Sequence, residues 1–177
     1  MDNTNPENTN TMSRGNKTAV WLAVGCLSIL ACIVIAVVTG FGGLYWLGSQ
    51  SPENAGVRLD FPIEINAGED FQFEIAVTNT SAAAMELSSI DISLNYLNGF
   101  LVKGTTPPYS ETSQFDALGG GETFQTYYYY QPIAPGETLT VIFDARTLLA
   151  GDYQGGVDVC IDSDFNCVSN IVRTIVK

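Results

Sequence analysis

The chain has 177 residues, with 7 Lys+Arg against 19 Asp+Glu, no histidine and a formal net charge of −12. So acidic a balance argues against nucleic acid as a partner, because a phosphate backbone is held by clustered Lys and Arg, and the missing histidines remove the usual general base and the commonest metal ligand. At 46% hydrophobic and 15% charged, the chain is too apolar to be disordered, and its length fits one domain or two.

Residues 1–13 contain no apolar side chain except methionine. Such a segment cannot bury enough surface to offset its ordering entropy, so residues 1–17 are expected to form a disordered tail. From Ala19 to Leu47 no residue is charged, a run of 29. As a helix this is about 44 Å long at 1.5 Å per residue, and a bilayer core of about 30 Å needs about 20 such residues. Trp21 lies near one end and Tyr45 and Trp46 near the other, where amphipathic rings favour the lipid interface. The pattern predicts one transmembrane helix over residues 18–47, with the lipid bilayer as its partner.

Arg14 and Lys17 precede this run, and no basic residue follows until Arg58. The positive-inside rule then places the N-terminus in the cytoplasm and the C-terminal part outside the cell membrane. A cleaved secretory signal is the competing reading, but its apolar core is shorter, about 7–15 residues. Lipid attachment at Cys26 or Cys32 is a third, and both match a lipobox poorly. Ser28, Cys32, Ala36 and Gly40 recur every four residues, a stripe of small side chains that permits helix–helix packing and a helix-mediated oligomer. Residues 48–56 read as a linker, about 30 Å when fully extended, which would hold an outer domain near the bilayer.

From Val57 to Lys177 the apolar period is two. Phe71, Phe73, Ile75 and Val77 alternate with Gln72, Glu74 and Thr78, and Ile90, Ile92, Leu94 and Tyr96 alternate with Asp91, Ser93 and Asn95. Leu139, Val141 and Phe143 repeat the pattern, as do Tyr153, Val157, Val159 and Ile161. One dry face and one wet face is the mark of antiparallel strands over a shared core. Turn signals fall at Asn66–Gly68, Asn98-Gly99, Gly119–Gly121, Ala134–Gly136 and Gly155-Gly156. Seven to nine strands with no helical period predict a mainly β domain, a two-sheet antiparallel sandwich of the Ig-like kind.

Three segments carry a resemblance: Ala67-Gly-Glu-Asp-Phe-Gln-Phe-Glu-Ile-Ala-Val-Thr-Asn-Thr80, Pro135-Gly-Glu-Thr-Leu-Thr-Val-Ile-Phe143 and Ala150-Gly-Asp-Tyr-Gln-Gly-Gly-Val-Asp158. Together they resemble prokaryotic extracytoplasmic Ig-like modules of the CARDB type. What the resemblance implies is a fold, a surface location and an adhesion or assembly role, with no catalytic residues to carry over. The chain departs from such repeats in having a single copy, a preceding apolar segment and a paired-cysteine hairpin.

Two surface features stand out in the same region. In Thr123-Phe-Gln-Thr-Tyr-Tyr-Tyr-Tyr130, an inward Phe124 puts Tyr127 and Tyr129 on the outer face, where rigid amphipathic rings make binding surfaces. The segment 103–113 reads as a long loop stiffened by Pro107 and Pro108, with Tyr109 beside them as a second contact.

Cys160 and Cys167 flank six residues rich in turn formers, so the strands on either side can pair as a hairpin with the sulfurs opposed. On the outer side of a membrane this predicts a disulfide. Between them, Asp162-Ser-Asp-Phe-Asn166 imitates the start of a calcium loop, but Cys167 occupies the glycine position and Arg173 the glutamate position. A solvated acidic turn is the expectation.

Beyond residue 48 there are five basic residues against seventeen acidic ones, so the whole net charge belongs to this part of the chain. The charge predicts attraction to basic partners and repulsion from anionic headgroups. No nucleophile pairs with a base and no ligand set for a metal or cofactor can be read. The leading expectation is a non-enzymatic, membrane-anchored envelope protein whose acidic domain binds another membrane or envelope protein, as an accessory subunit does. A carbohydrate-binding or adhesion module using Tyr127 and Tyr129 is the alternative, and a pilin-like filament subunit, which needs processing before the helix, is a third.

Overall fold

The computed structural model describes residues 32–37, 39, 52, 54–117 and 121–177. The chain divides into two compact units, Met1–Leu47 and Gly48–Lys177.

In the first unit, residues 32–37 and 39 are α-helical, and the Thr39 hydroxyl donates to the Ile35 carbonyl at 2.7 Å. Ile33, Val34, Ile35 and Val37 are exposed. Among the described residues no helix is long and apolar enough to cross a membrane. The expected tail over residues 1–17 lies outside the described residues, as does most of the expected span over 18–47.

Among its described residues the second unit has ten strands in two sheets, a sandwich-like arrangement. In chain order they are β1 (Ala55–Asp60), β2 (Glu64–Ile65), β3 (Asp70–Asn79), β4 (Met85–Ser93), β5 (Phe100–Thr106), β6 (Glu111–Asp116), β7 (Thr123–Ile133), β8 (Thr138–Thr147), β9 (Gly151–Ile161) and β10 (Cys167–Val176). One sheet has the order β1-β3-β8-β5 and the other β2-β10-β9-β4-β7-β6. All pairings are antiparallel except the short parallel contact of β2 with β10.

The period-two pattern explains the layers. Phe73, Ile75 and Val77 of β3 and Val141 and Phe143 of β8 face Ile90 and Ile92 of β4 and Val157, Val159 and Ile161 of β9, all buried. Phe73 stacks on Phe143 with ring centroids 4.7 Å apart, and Tyr127 of the other sheet meets Phe143 edge-on at 5.3 Å. Each fully buried side chain of this size contributes about 1.5–3 kcal/mol. The turn at Asn66–Gly68 forms as expected, with Gly68 at φ 78, and Gly136 takes φ 76 in the turn between β7 and β8. Both positions are in the left-handed region that glycine enters without a Cβ clash.

The structure corrects four sequence expectations. The strand expected through Tyr96 ends at Ser93, whose hydroxyl accepts from the Asn95 amide and caps a single helical turn, Leu94–Leu97. Tyr96 still reaches the core, and its hydroxyl lies 2.9 Å from the Thr174 hydroxyl. Gly155-Gly156 is no turn: β9 runs straight through it. A Cβ on Gly155 would sit 2.7 Å from the Ser93 Cβ and 3.0 Å from the Tyr96 Cβ, so glycine here serves close approach of the capped turn. The loop expected over 103–113 shrinks to residues 107–110, because β5 and β6 extend into it from both sides. The expected linker over 48–56 is likewise shorter, since Ala55 and Gly56 already pair with Asn79 and Thr78.

Candidate functional site

Register places a band of polar side chains on the outer face of the six-stranded sheet. Ile90 and Ile92 point into the core, so Ser89 and Asp91 of β4 point away from it. Across the sheet, Ser169, Asp158, Asp91, Thr126 and Ser113 are successive register partners on β10, β9, β4, β7 and β6. The neighbouring row is Cys167, Cys160, Ser89, Tyr128 and Glu111 on the same five strands.

Cys160 and Cys167 are disulfide-bonded, as their spacing predicts, and the hairpin pairs them directly. The bridge lies against the carboxylate beside it, with Cys160 Sγ 3.4 Å from Asp91 Oδ2. Asp91 is only 4% exposed although it belongs to the outer face. Burial raises its carboxyl from 3.8 to about 6; the nearby Thr126 and Ser89 hydroxyls oppose the shift, and Asp158 and Asp164 add to it. Those hydroxyls lie close to the carboxylate without hydrogen-bonding geometry, leaving Ser89 Oγ, Thr126 Oγ1 and Asp91 Oδ1 without partners. Asp158 is also raised, first by burial, with Ser169 opposing and Glu122 adding.

Basic side chains do not balance this group. Lys103 and Arg146 meet Asp70, Arg173 forks onto both oxygens of Asp152 at 2.8 and 2.6 Å, and Lys177 meets Glu64.

Aromatic rings flank the polar band. Phe115 of β6 stacks on Phe124 of β7 at 5.4 Å, and Tyr128 stacks on Tyr130 at 5.7 Å. The Tyr130 hydroxyl donates to Glu111 Oε1 at 3.4 Å, and its backbone has φ 51 where β4 and β7 slip register between Leu87 and Ser89. Phe115 and Tyr130 are both exposed.

Tyr127 and Tyr129 are not the surface pair that the sequence predicts: they are 6% and 3% exposed and belong to the core. Burial pushes the Tyr127 hydroxyl up to about 12 and the Tyr129 hydroxyl well above its usual value. The faces are exchanged because Phe124, expected to face the core, is buried on the opposite face between Phe115 and Gly156. Both faces of β7 carry rings, so alternation alone cannot say which is inside. Tyr109 is half exposed and packs edge-on against Tyr127 at 5.4 Å, while Pro107 and Pro108 lie beside it in the β5–β6 connection.

Of the predicted helix-packing stripe, Cys32 and Ala36 are one helical turn apart, while Ser28 and Gly40 lie outside the described residues. The acidic turn at 162–166 is pinned at one end, where the Asp162 amide donates to the Glu86 carbonyl at 2.9 Å and Asp162 Oδ1 accepts from the Glu86 amide at 2.7 Å. Open depressions lie among the described residues. One of about 420 Å³ includes Ser81, Met85, Asp162 and Asn166, and one of about 490 Å³ lies between Val57, Leu59 and Phe61 on one side and Asn170, Val172 and Arg173 on the other. Neither lining pairs a nucleophile with a base.

No protein-family model matches the chain, and no curated protein matches it either. Likeness to solved structures is slight. AvmM, which catalyses macrocyclization in alchivemycin A biosynthesis, is 12% identical over 71% of this chain and 90% of its own, with a TM-score of 0.49. A cohesin module from a Clostridium perfringens family 33 glycoside hydrolase is 10% identical over 70% of this chain and 96% of its own, at 0.38. E. coli alpha-2-macroglobulin is 12% identical over 71% of this chain at 0.43, and the match spans only 7% of that chain.

Proposed function

We propose that this is a single-pass membrane-anchored, non-enzymatic protein whose acidic Ig-like domain docks on another membrane or envelope protein, as an accessory subunit does. The anchor rests on sequence: residues 19–47 carry no charge, and Arg14 and Lys17 stand on the side assigned to the cytoplasm. A disulfide between Cys160 and Cys167 supports an oxidising compartment for the folded domain.

The Ig-like assignment is supported by strand order. Taken in chain order, β1, β3, β4, β5, β8, β9 and β10 stand where the seven strands A to G of a constant-type Ig domain stand, with A-B-E-D in one sheet and C-F-G in the other. The β6–β7 hairpin is then an addition beside the third of these strands. On this reading the domain resembles the extracytoplasmic Ig-like modules named above.

The observation that carries the docking reading is β6. It is an edge strand of its sheet, all six of its residues are exposed, and it runs from the end that carries the exposed Tyr109 and Tyr130 to the exposed Phe115 at the other. An open edge with aromatic neighbours offers backbone hydrogen bonds and ring contacts to a partner strand. The carbohydrate reading loses the two tyrosines it was built on. Gentle solubilisation of native membranes followed by affinity isolation of the full-length chain tests the proposal. Stoichiometric partners that are lost when Gln114, whose N–H faces away from β7, is replaced by proline support it; a chain recovered as a free monomer, or in the fraction released by carbonate washing, overturns it.

A further inference from the structure

Asp91 combines burial, like-charged neighbours and unpartnered oxygens in one place. It is 4% exposed, and the Ser89 and Thr126 side chains beside it are 1% and 2% exposed; one oxygen of each residue has no hydrogen-bond partner. Thr126 on β7 and Asp158 on β9 are its direct register partners, and Ser89 stands two residues away on the same face of β4. The charged groups that act on it are Asp158 and Asp164, both acidic. Lys103, Arg146, Arg173 and Lys177 are engaged with Asp70, Asp152 and Glu64, and Arg58 is on β1 in the other sheet. A buried carboxylate without a basic partner is stabilised by taking a proton or a metal ion.

We propose that the Asp91 carboxylate, the Ser89 and Thr126 hydroxyls and the flanking Asp158 carboxylate form a binding site for a hard divalent cation, with calcium preferred. The donors are all oxygen, which selects against soft metals. The Cys160 and Cys167 sulfurs lie within 4.8 Å of the Asp91 carboxylate, but the disulfide has removed them as thiolate ligands. Side chains fixed on neighbouring strands do not compose a tight octahedron at the short distances magnesium demands, whereas calcium accepts irregular sets of six to eight oxygens at about 2.3–2.6 Å. The site is independent of the docking reading and stands whether or not that reading holds.

Calorimetric titration of the purified full-length chain, with thermal unfolding in parallel, tests the site using calcium chloride, magnesium chloride and sodium chloride at matched ionic strength. The expected result is saturable binding of one calcium with Kd of about 10⁻⁴–10⁻³ M, the range of weak sites, and a Tm that rises with calcium beyond the rise in sodium chloride. Asp91→Asn is expected to abolish the calcium-specific rise. Thr126→Val, which keeps the shape and removes one oxygen, is expected to weaken binding roughly tenfold. Glu74→Gln, on the outer face of the other sheet, is expected to bind as the unsubstituted chain does. Absence of binding at about 10 mM calcium, ten times the weakest expected Kd, overturns the proposal. A calcium response equal to that of sodium chloride overturns it too, as does one retained in Asp91→Asn or undiminished in Thr126→Val, and magnesium binding as tightly as calcium overturns the preference.

Discussion

At the scale of single residues, the two informative positions are ones where a local rule is broken. Asp91 is a carboxyl buried among other carboxyls, raised to about 6 in the folded chain. A carboxyl whose folded value lies above its unfolded value near 4 holds its proton more tightly when folded. Its contribution therefore favours the folded state most at low pH and is lost as pH rises from about 4 to about 6, by about 3 kcal/mol in all. In calcium-free buffer, the stability of the unsubstituted chain relative to Asp91→Asn is expected to fall by that order between about pH 4 and about pH 7. Denaturant titrations at the two pH values check it; Asp158, raised by burial in both proteins, cancels to first order. An unchanged difference would mean that the carboxyl is well solvated.

Gly155 is the second such residue. Its missing Cβ makes room for Ser93 and Tyr96. Gly155→Ala is expected to cost about 1–3 kcal/mol through overpacking, read as a lower urea midpoint. Gly104→Ala, with no atom within 4 Å of the added carbon, is expected to stay within about 0.5 kcal/mol.

Among the elements, the β9–β10 hairpin and strand β7 show opposite degrees of legibility. The hairpin was readable because two cysteines separated by turn formers leave few other pairings, and Cys160 does face Cys167. Closing so short a loop restricts the unfolded chain, so Cys160→Ala with Cys167→Ala is expected to cost about 2 kcal/mol in chemical denaturation. A midpoint unchanged by the double substitution would mean that the bridge adds no constraint. For β7, composition announced a strand rich in tyrosine, but which tyrosines are outside depended on Phe115, contributed by β6, a strand that begins within the expected loop and runs past its end. Tyr127→Ala is accordingly expected to behave as a core truncation, with a loss of about 3–5 kcal/mol. Tyr130→Ala, at an exposed ring, is expected to lose far less, and comparison of the two by urea unfolding checks the assignment of faces.

For the whole molecule, charge is the dominant property. Five basic residues face seventeen acidic ones beyond residue 48, and ion pairs among the described residues employ four of the five. Self-repulsion of this kind weakens as salt screens it, with a screening length of about 8 Å at physiological ionic strength and about 3 Å at 1 M. The Tm is expected to climb with sodium chloride and level off, and a flat or falling curve would show that local pairs outweigh the net field. The same charge fits a basic docking partner better than a bare anionic membrane surface.

The sequence by itself determined the strand pattern, the sulfur bridge, the turns at Asn66–Gly68 and Ala134–Gly136, and the acidity, because each depends on neighbours in the chain or on counting. Only the tertiary structure decided that Tyr127 and Tyr129 are core, that Gly155 serves packing, and that Asp91, Ser89, Thr126 and Asp158 share one buried patch. Those outcomes depend on which strand lies beside which, and β4 is flanked by β7 and β9, strands more than thirty residues away in sequence. Alternation reports that a strand has two different faces; the face that becomes the interior is chosen by what packs against it.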